Sequence, residues 1–517
     1  MPQRTVLCFF LALTLLLTGC SPSASVSVPM PEPDYWPTKG WIHSMPEAQG
    51  IDSEQLAKMM EEITAEQTRI HSVLIIRNGY LVTEAYFQPY TRDTKTHVQS
   101  VTKSVIGMLI GKAIGDEYIK SDGEKLVNFY PNRMFENQTK QKASIQLKHL
   151  LSMASGLSCQ EFSSSGPAME QTQGWVQFML DLPMAGSPGK QFGYCNGNAH
   201  LLSSILEKTT GMSAREYANQ ELFEPLGIPA VSEADWWGDP QKITMGGYGL
   251  HLRPVDLAKL AFLYLHNGKW GTEQIIPAEW VAASTTQHIQ KEDGSGYGYL
   301  WTVYPDSSHY AALGLGGQQV HVYPSKNLIV VVTAALESFA EASEIENMLN
   351  EHILPAIRSD GPLPKNPNAF ARLQTMLETA ETPVQPVPPL PAAASDVTGR
   401  IYTFPENPLG WKTLEFTFRE GAKSAQLHLE DLPVLEIGLD NIYRLSRSEE
   451  LGELLLRGRW ADGHTFIVDY PYPAAGTPVL GELGETEFRF AFQGDALELE
   501  VEQLIFGGEP ILITGSR

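Results

Sequence analysis

Positive charge is in short supply in this chain. Against 60 Asp and Glu stand only 37 Lys and Arg, a formal net charge of -23, which argues against nucleic acid as a partner and serves solubility instead. Long apolar runs are also missing, since the stretch Val6 to Leu17 is too short for an ordinary membrane span. No Gly-x-Ser-x-Gly occurs, which excludes the strand-turn-helix serine elbow, and no His-Glu-x-x-His offers a zinc site. Cysteine is scarce at four in 517 residues.

Position sorts those cysteines. Residues 1–20 read as a targeting segment, with Arg4 ahead of the apolar stretch and Leu17-Thr18-Gly19-Cys20 at its end. That ending resembles the lipobox of bacterial lipoproteins, and the resemblance implies an exported chain held to a membrane through a lipid on Cys20. Cys8 leaves with the signal. Cys159 and Cys195 remain, either paired in an oxidising compartment or buried as free thiols.

Residues 21–40, rich in Ser and Pro at their start, read as a tether. Ile51 to Ile63 has helical spacing, and Ser72 to Arg77 and Tyr80 to Tyr86 form a hairpin through Asn78-Gly79. Glu117 to Leu265 is mostly helical. Strands return at Gly298 to Tyr304, Tyr310 to Tyr323 and Leu328 to Ala334, so one sheet of N- and C-terminal strands with a helical insertion is expected over residues 41–360. Five prolines between Thr382 and Pro391 mark a linker, set at residues 361–395. Residues 396–517 carry short strands at regular spacing, the pattern of an antiparallel meander or small barrel.

The chemistry is concentrated at His97 to Lys112, where an apolar helix opens on Ser100-Val101-Thr102-Lys103. Residues three apart share a helix face, so the Ser100 hydroxyl and the Lys103 amine come within reach. The positive end of the helix dipole and burial both favour the neutral amine, which is then able to take the serine proton. A second Ser-x-x-Lys, Ser187 to Lys190, contains Pro188-Gly189 and reads as a turn.

A serine-lysine pair needs a further proton shuttle and N–H donors for an oxyanion. Gln191-Phe192-Gly193-Tyr194-Cys195-Asn196 resembles the second motif of class C β-lactamases and their esterase relatives. Tyr130-Pro131-Asn132 and Tyr217-Ala218-Asn219 share the tripeptide but sit in segments better explained by packing. The resemblance implies that Tyr194 moves protons beside Lys103 and that Asn196 orients the lysine or binds substrate. His149-Leu150-Leu151-Ser152, Phe223-Glu224-Pro225-Leu226-Gly227 and Gly246-Gly247-Tyr248-Gly249-Leu250 resemble scaffold signatures of the same β-lactamase-related hydrolases, with His149 structural.

In the family's third motif, usually Lys-Thr-Gly or His-x-Gly, this chain has Leu315-Gly316-Gly317 inside a predicted strand. By that likeness these three residues line the substrate, and the N–H groups of Ser100 and Gln318 form the oxyanion hole. Leu315 cannot pair with a substrate carboxylate as Lys or His can, so penicillin hydrolysis is demoted. The expected fold is α/β, an α+β sandwich of β-lactamase/transpeptidase type with an antiparallel sheet flanked by helices, followed by the β domain. The expected function is cleavage of a small ester or amide through an acyl-Ser100 intermediate, without metal or organic cofactor. A D-stereospecific peptidase or β-lactamase, and a non-catalytic lipoprotein that binds cell-wall or peptide ligands, are the alternatives.

Overall fold

The computed structural model describes residues 31–65, 69–159, 166–336, 339–382, 386–430, 432–448, 452–471, 486–503 and 510–517. The expected targeting segment of residues 1–20, with Cys20, lies outside them. The tether ends earlier than expected, because Tyr35 and Trp36 are partly buried against the domain. Trp36 packs on Phe262, His266 and Trp270, and the Tyr35 hydroxyl donates to the Gly79 carbonyl at 2.8 Å.

A helix and a strand hairpin open the first domain. Helix α1 (Ser53–Ala65) buries Leu56, Met59, Met60 and Ile63 at helical spacing. Strands β1 (Ile70–Arg77) and β2 (Tyr80–Tyr86) form the hairpin, with Asn78 and Gly79 at positive φ. A short strand β3 (Thr96–His97) leads into α2 (Val101–Gly115). Further on come α3 (Asn196–Thr210), β4 (His251–Leu252), which pairs with β3, and α4 (Pro254–Leu265). Strands β5 (Ile289–Gln290), β6 (Gly296–Tyr297), β7 (Thr302–Tyr304), β8 (His309–Gly314), β9 (Gln318–Tyr323) and β10 (Leu328–Ala334) complete one antiparallel sheet, in the order β2-β1-β10-β9-β8-β7-β6-β5.

β1 is buried along its whole length because the sheet is covered on both faces. Its alternate residues feed two cores: Leu74 and Ile76 join α2, α3 and α4, whereas Val73 and Ile75 join α1 and helix α5 (Pro367–Glu381). The domain is therefore a three-layer sandwich in which the first and last strands of the sheet, β1 and β10, are paired. Helix α5 corrects the expected linker of residues 361–395. Its Ala369, Leu373 and Ala380 are buried, Leu373 and Ala380 in the α1 core, and Arg372 pairs with Glu54 and Glu61 of α1. Ala392–Val397, within the same stretch, is a helix that belongs to the second core.

Beyond the prolines, nine strands between Ile401 and Ser516 close into a barrel. Closure comes at Leu435–Gly438, which pairs with Ser424–Leu429 on one side and, in parallel, with Gly452–Trp460 on the other. Arg444–Ser448 adds a hairpin strand to Gly452–Trp460. Alternating burial, as in Thr413–Thr417 and Ser424–Leu429, points one face into a core of Phe416, Phe466, Phe490 and their neighbours. That core shares no residue with the other two.

Candidate active site

Helix α2 is buried on every side, and its glycines explain how. A Cβ on Gly111 would lie 2.1 Å from the Trp280 indole, whose Nε1 donates to the Gly107 carbonyl at 3.0 Å. At its N-terminus the backbone turns sharply: Gln99 has φ +49°, uncommon for a residue with a side chain, and the half-exposed Ser100 caps the helix. The turn is locked by the Thr102 hydroxyl donating to the Gln99 carbonyl at 2.7 Å and by the Val98 N–H donating to Leu250 at 2.9 Å.

Lys103, 1% exposed, is the hub. Its Nζ lies 3.0 Å from Ser100 Oγ, 2.5 Å from Asn196 Oδ1 and 2.7 Å from the Gly247 carbonyl oxygen, and stands 4.6 Å from the centre of the Tyr194 ring. Asn196 is the first residue of α3, and Cys195 before it is bonded to Cys159, which ties the Tyr194 segment to the chain 36 residues upstream. Phe192 stacks edge-on against the wholly buried Tyr297, whose phenol burial pushes well above its usual range, with Tyr194 adding to the rise.

Two of these contacts have a chemical consequence. The Asn196 and Gly247 oxygens can only accept, whereas the Ser100 hydroxyl can donate or accept. A neutral amine that gives its two N–H bonds to the first pair has its lone pair left facing Ser100.

The third segment is arranged differently from the sequence reading. Leu315–Gly317 does not lie within one strand but makes the tight turn between β8 and β9, with Gly316 and Gly317 at φ +74° and +85°. Two consecutive left-handed positions reverse the chain there, which no strand accommodates. Two backbones approach closely one residue before the turn: a Cβ on Gly314 would sit 2.7 Å from the Val98 carbonyl. The end of β8 therefore runs beside the turn into Ser100. Leu313 to Leu315 are half-exposed, while Gly316, Gly317 and Gln318 are buried and the Gln318 amide donates to the Ala334 carbonyl.

Residues set aside as packing are so placed. Tyr130 and Tyr217 are buried, and the Tyr217 hydroxyl donates to Asp116 at 2.7 Å. His149 accepts the Gln146 N–H in a helix cap. Ser187 accepts from the Gln141 side chain, in a turn with Gly189 at φ +75°. Two participants escaped the sequence reading. Gly247 had been read as scaffold, and its carbonyl carries no side-chain signature. His97 accepts the Gly249 N–H at 2.9 Å, and nothing in its local pattern marks it.

The sandwich and its two-layered core define the β-lactamase/transpeptidase-like fold. A family model described as Beta-lactamase matches residues 56–353, more than half of the chain. The chain belongs to that family, whose members are serine hydrolases. It is similar to the 6-aminohexanoate-dimer hydrolase of Paenarthrobacter ureafaciens, 21% identical over 289 residues that cover 52% of this chain and 72% of the relative. The beta-lactamase of Escherichia coli K12 is 26% identical over 253 residues, 43% of this chain and 61% of the relative. Among solved structures, a candidate 6-aminohexanoate-dimer hydrolase from Bacillus anthracis superposes with a TM-score of 0.50 at 18% identity, over 64% of this chain and 91% of its own.

Proposed function

We propose that the chain is an exported serine hydrolase that cleaves a small ester or amide through an acyl-Ser100 intermediate. The observation that carries this is the orientation of Lys103 by two obligate acceptors, which leaves the third direction to Ser100 Oγ at 3.0 Å. Ser100 Oγ attacks the substrate carbonyl and its proton passes to Lys103. Tyr194, against the amine, relays that proton to the leaving oxygen or nitrogen. Water then attacks the acyl ester by the same route in reverse and frees the acid.

The Ser100 N–H, at the positive end of α2, is one oxyanion donor. The second comes from the β8–β9 turn. The resemblance assigns it to the N–H of Gln318, the first residue of β9.

Leu315 gives the mouth an apolar group where a carboxylate-binding cation would otherwise stand, which supports esters and amides over penicillins. The amide-cleaving relative points the same way. Export and a lipid on Cys20 are proposed from the N-terminal pattern, and the Cys159–Cys195 disulfide agrees with an oxidising compartment.

The test is labelling with a fluorophosphonate, followed by turnover of p-nitrophenyl esters, D-amino acid amides and nitrocefin. Labelling that disappears in Ser100→Ala, with ester or amide turnover above nitrocefin turnover, is expected. A folded wild-type chain that is not labelled overturns the enzymatic reading, and dominant nitrocefin turnover overturns the substrate class.

A further inference from the structure

The segment from Trp236 to Leu250, which brings the Gly247 carbonyl to Lys103, forms only isolated bridges and is held from both flanks. On the α3 side, His200 and Asp239 are fully buried and 3.1 Å apart, and the same carboxylate accepts the N–H groups of Gln241 and Ile243. Ser203 adds a bond to the Thr244 carbonyl at 2.6 Å. These contacts anchor the early part of the segment. The part next to Gly247 is anchored from β3.

There the Gly249 N–H donates at 2.9 Å to Nε2 of His97, three residues before Ser100. The imidazole is 9% exposed and stacks on His251, with ring centres 4.8 Å apart and planes inclined by 16°. The β3–β4 ladder sets this stack, because it pairs His97 with His251 directly. His251 in turn places its Nδ1 3.3 Å from the carbonyls of Asp235 and Gly249. Gly249 has φ +94°, and a Cβ there would lie 2.9 Å from the Trp237 indole, so the position suits glycine.

We propose that His97 is a positioning residue: by accepting the Gly249 N–H it fixes the Gly247 carbonyl against Lys103 and so aims the lysine lone pair at Ser100. The proposal rests on the catalytic reading given above. An N–H donor at Nε2 requires that this nitrogen carry no proton, and burial holds the ring well below the usual histidine range, with His251 adding to the effect. The neutral ring is the form the contact needs.

The experiment compares wild type, His97→Leu and His97→Gln in fluorophosphonate labelling of Ser100, with the binding constant and the inactivation rate constant separated and melting temperatures measured alongside. Leucine removes the acceptor. Glutamine restores one at about the same reach. Expected are an inactivation rate at least about tenfold lower in His97→Leu with probe binding within about twofold of wild type, and recovery of most of that loss in His97→Gln. Where the leucine variant does not fold, His97→Phe, which keeps a ring on His251 without an acceptor, takes its place with the same expected loss. Unchanged inactivation in a folded leucine or phenylalanine variant overturns the proposal, and so does a glutamine variant as slow as they are. Wild-type labelling that survives in Ser100→Ala overturns instead the catalytic reading on which it rests.

Discussion

Lys103 has few degrees of freedom left once its neighbours are in place, and the neighbours differ in what they contribute. Asn196→Ala removes one of the two obligate acceptors, so the amine is free to rotate its lone pair away from Ser100. Turnover of the best ester is expected to fall about 10- to 100-fold with KM little changed, as steady-state kinetics will show. Gly247→Ala acts from the other side. Its Cβ would lie 2.8 Å from the Asn196 side chain, so a similar fall is expected, and a melting curve will show whether the loop has paid for it in stability. Ser100 and Lys103 were legible in the sequence because a three-residue spacing on one helix is local information. Tyr194 and Asn196 were legible only through their resemblance to a known motif. Gly247 was not legible at all, since every residue carries a carbonyl and this one is 144 positions from its lysine.

At the scale of elements, the start of α3 matters most, because it presents Tyr194 and Asn196 from either side of a half-cystine. The disulfide closes a 36-residue loop, for which chain entropy gives about 3–4 kcal/mol. Reduction, or Cys159→Ser, is expected to lower the melting temperature and to slow labelling of Ser100. Unchanged values in calorimetry and in the labelling assay would show that packing alone holds the segment. The hairpin of β1 and β2 was readable from Asn78-Gly79, whereas the reversal at Leu315–Gly317 was missed, because the apolar residues on both sides of Gly316-Gly317 were read as one continuous strand. Helix α5 was lost to the prolines that follow it. Its apolar positions recur at helical spacing, but the composition of the next ten residues pulled the boundary forward.

The whole molecule carries an unusual load of neutral histidine. Burial lowers His266 and His309 to about 4 and His321 to about 3, and His97, His149, His251 and His288 are lowered in the same direction by the same cause. As pH falls below about 6.5 the unfolded chain takes up protons that the folded one refuses, so stability present at neutral pH is lost toward about pH 4. Melting temperature is expected to drop between about pH 7 and about pH 5, a window in which most carboxylates stay ionised. The separate core of the barrel leads to a second expectation: a chain ending at residue 382, which keeps α5 on α1, folds and is still labelled at Ser100. Loss of labelling in that fragment would show that the barrel supports the cleft. The barrel's strands were largely foreseen from their alternation, but its closure depends on one parallel pairing between Gly438 and Arg457, a long-range contact no local pattern encodes.

The acceptors that steer Lys103 arrive from positions 93 and 144 residues away. On the proposed mechanism, a competent nucleophile exists only in chains whose distant parts have already found one another. Covalent capture of Ser100 becomes a count of correctly folded molecules, able to follow refolding, export or heat damage without any knowledge of the natural substrate.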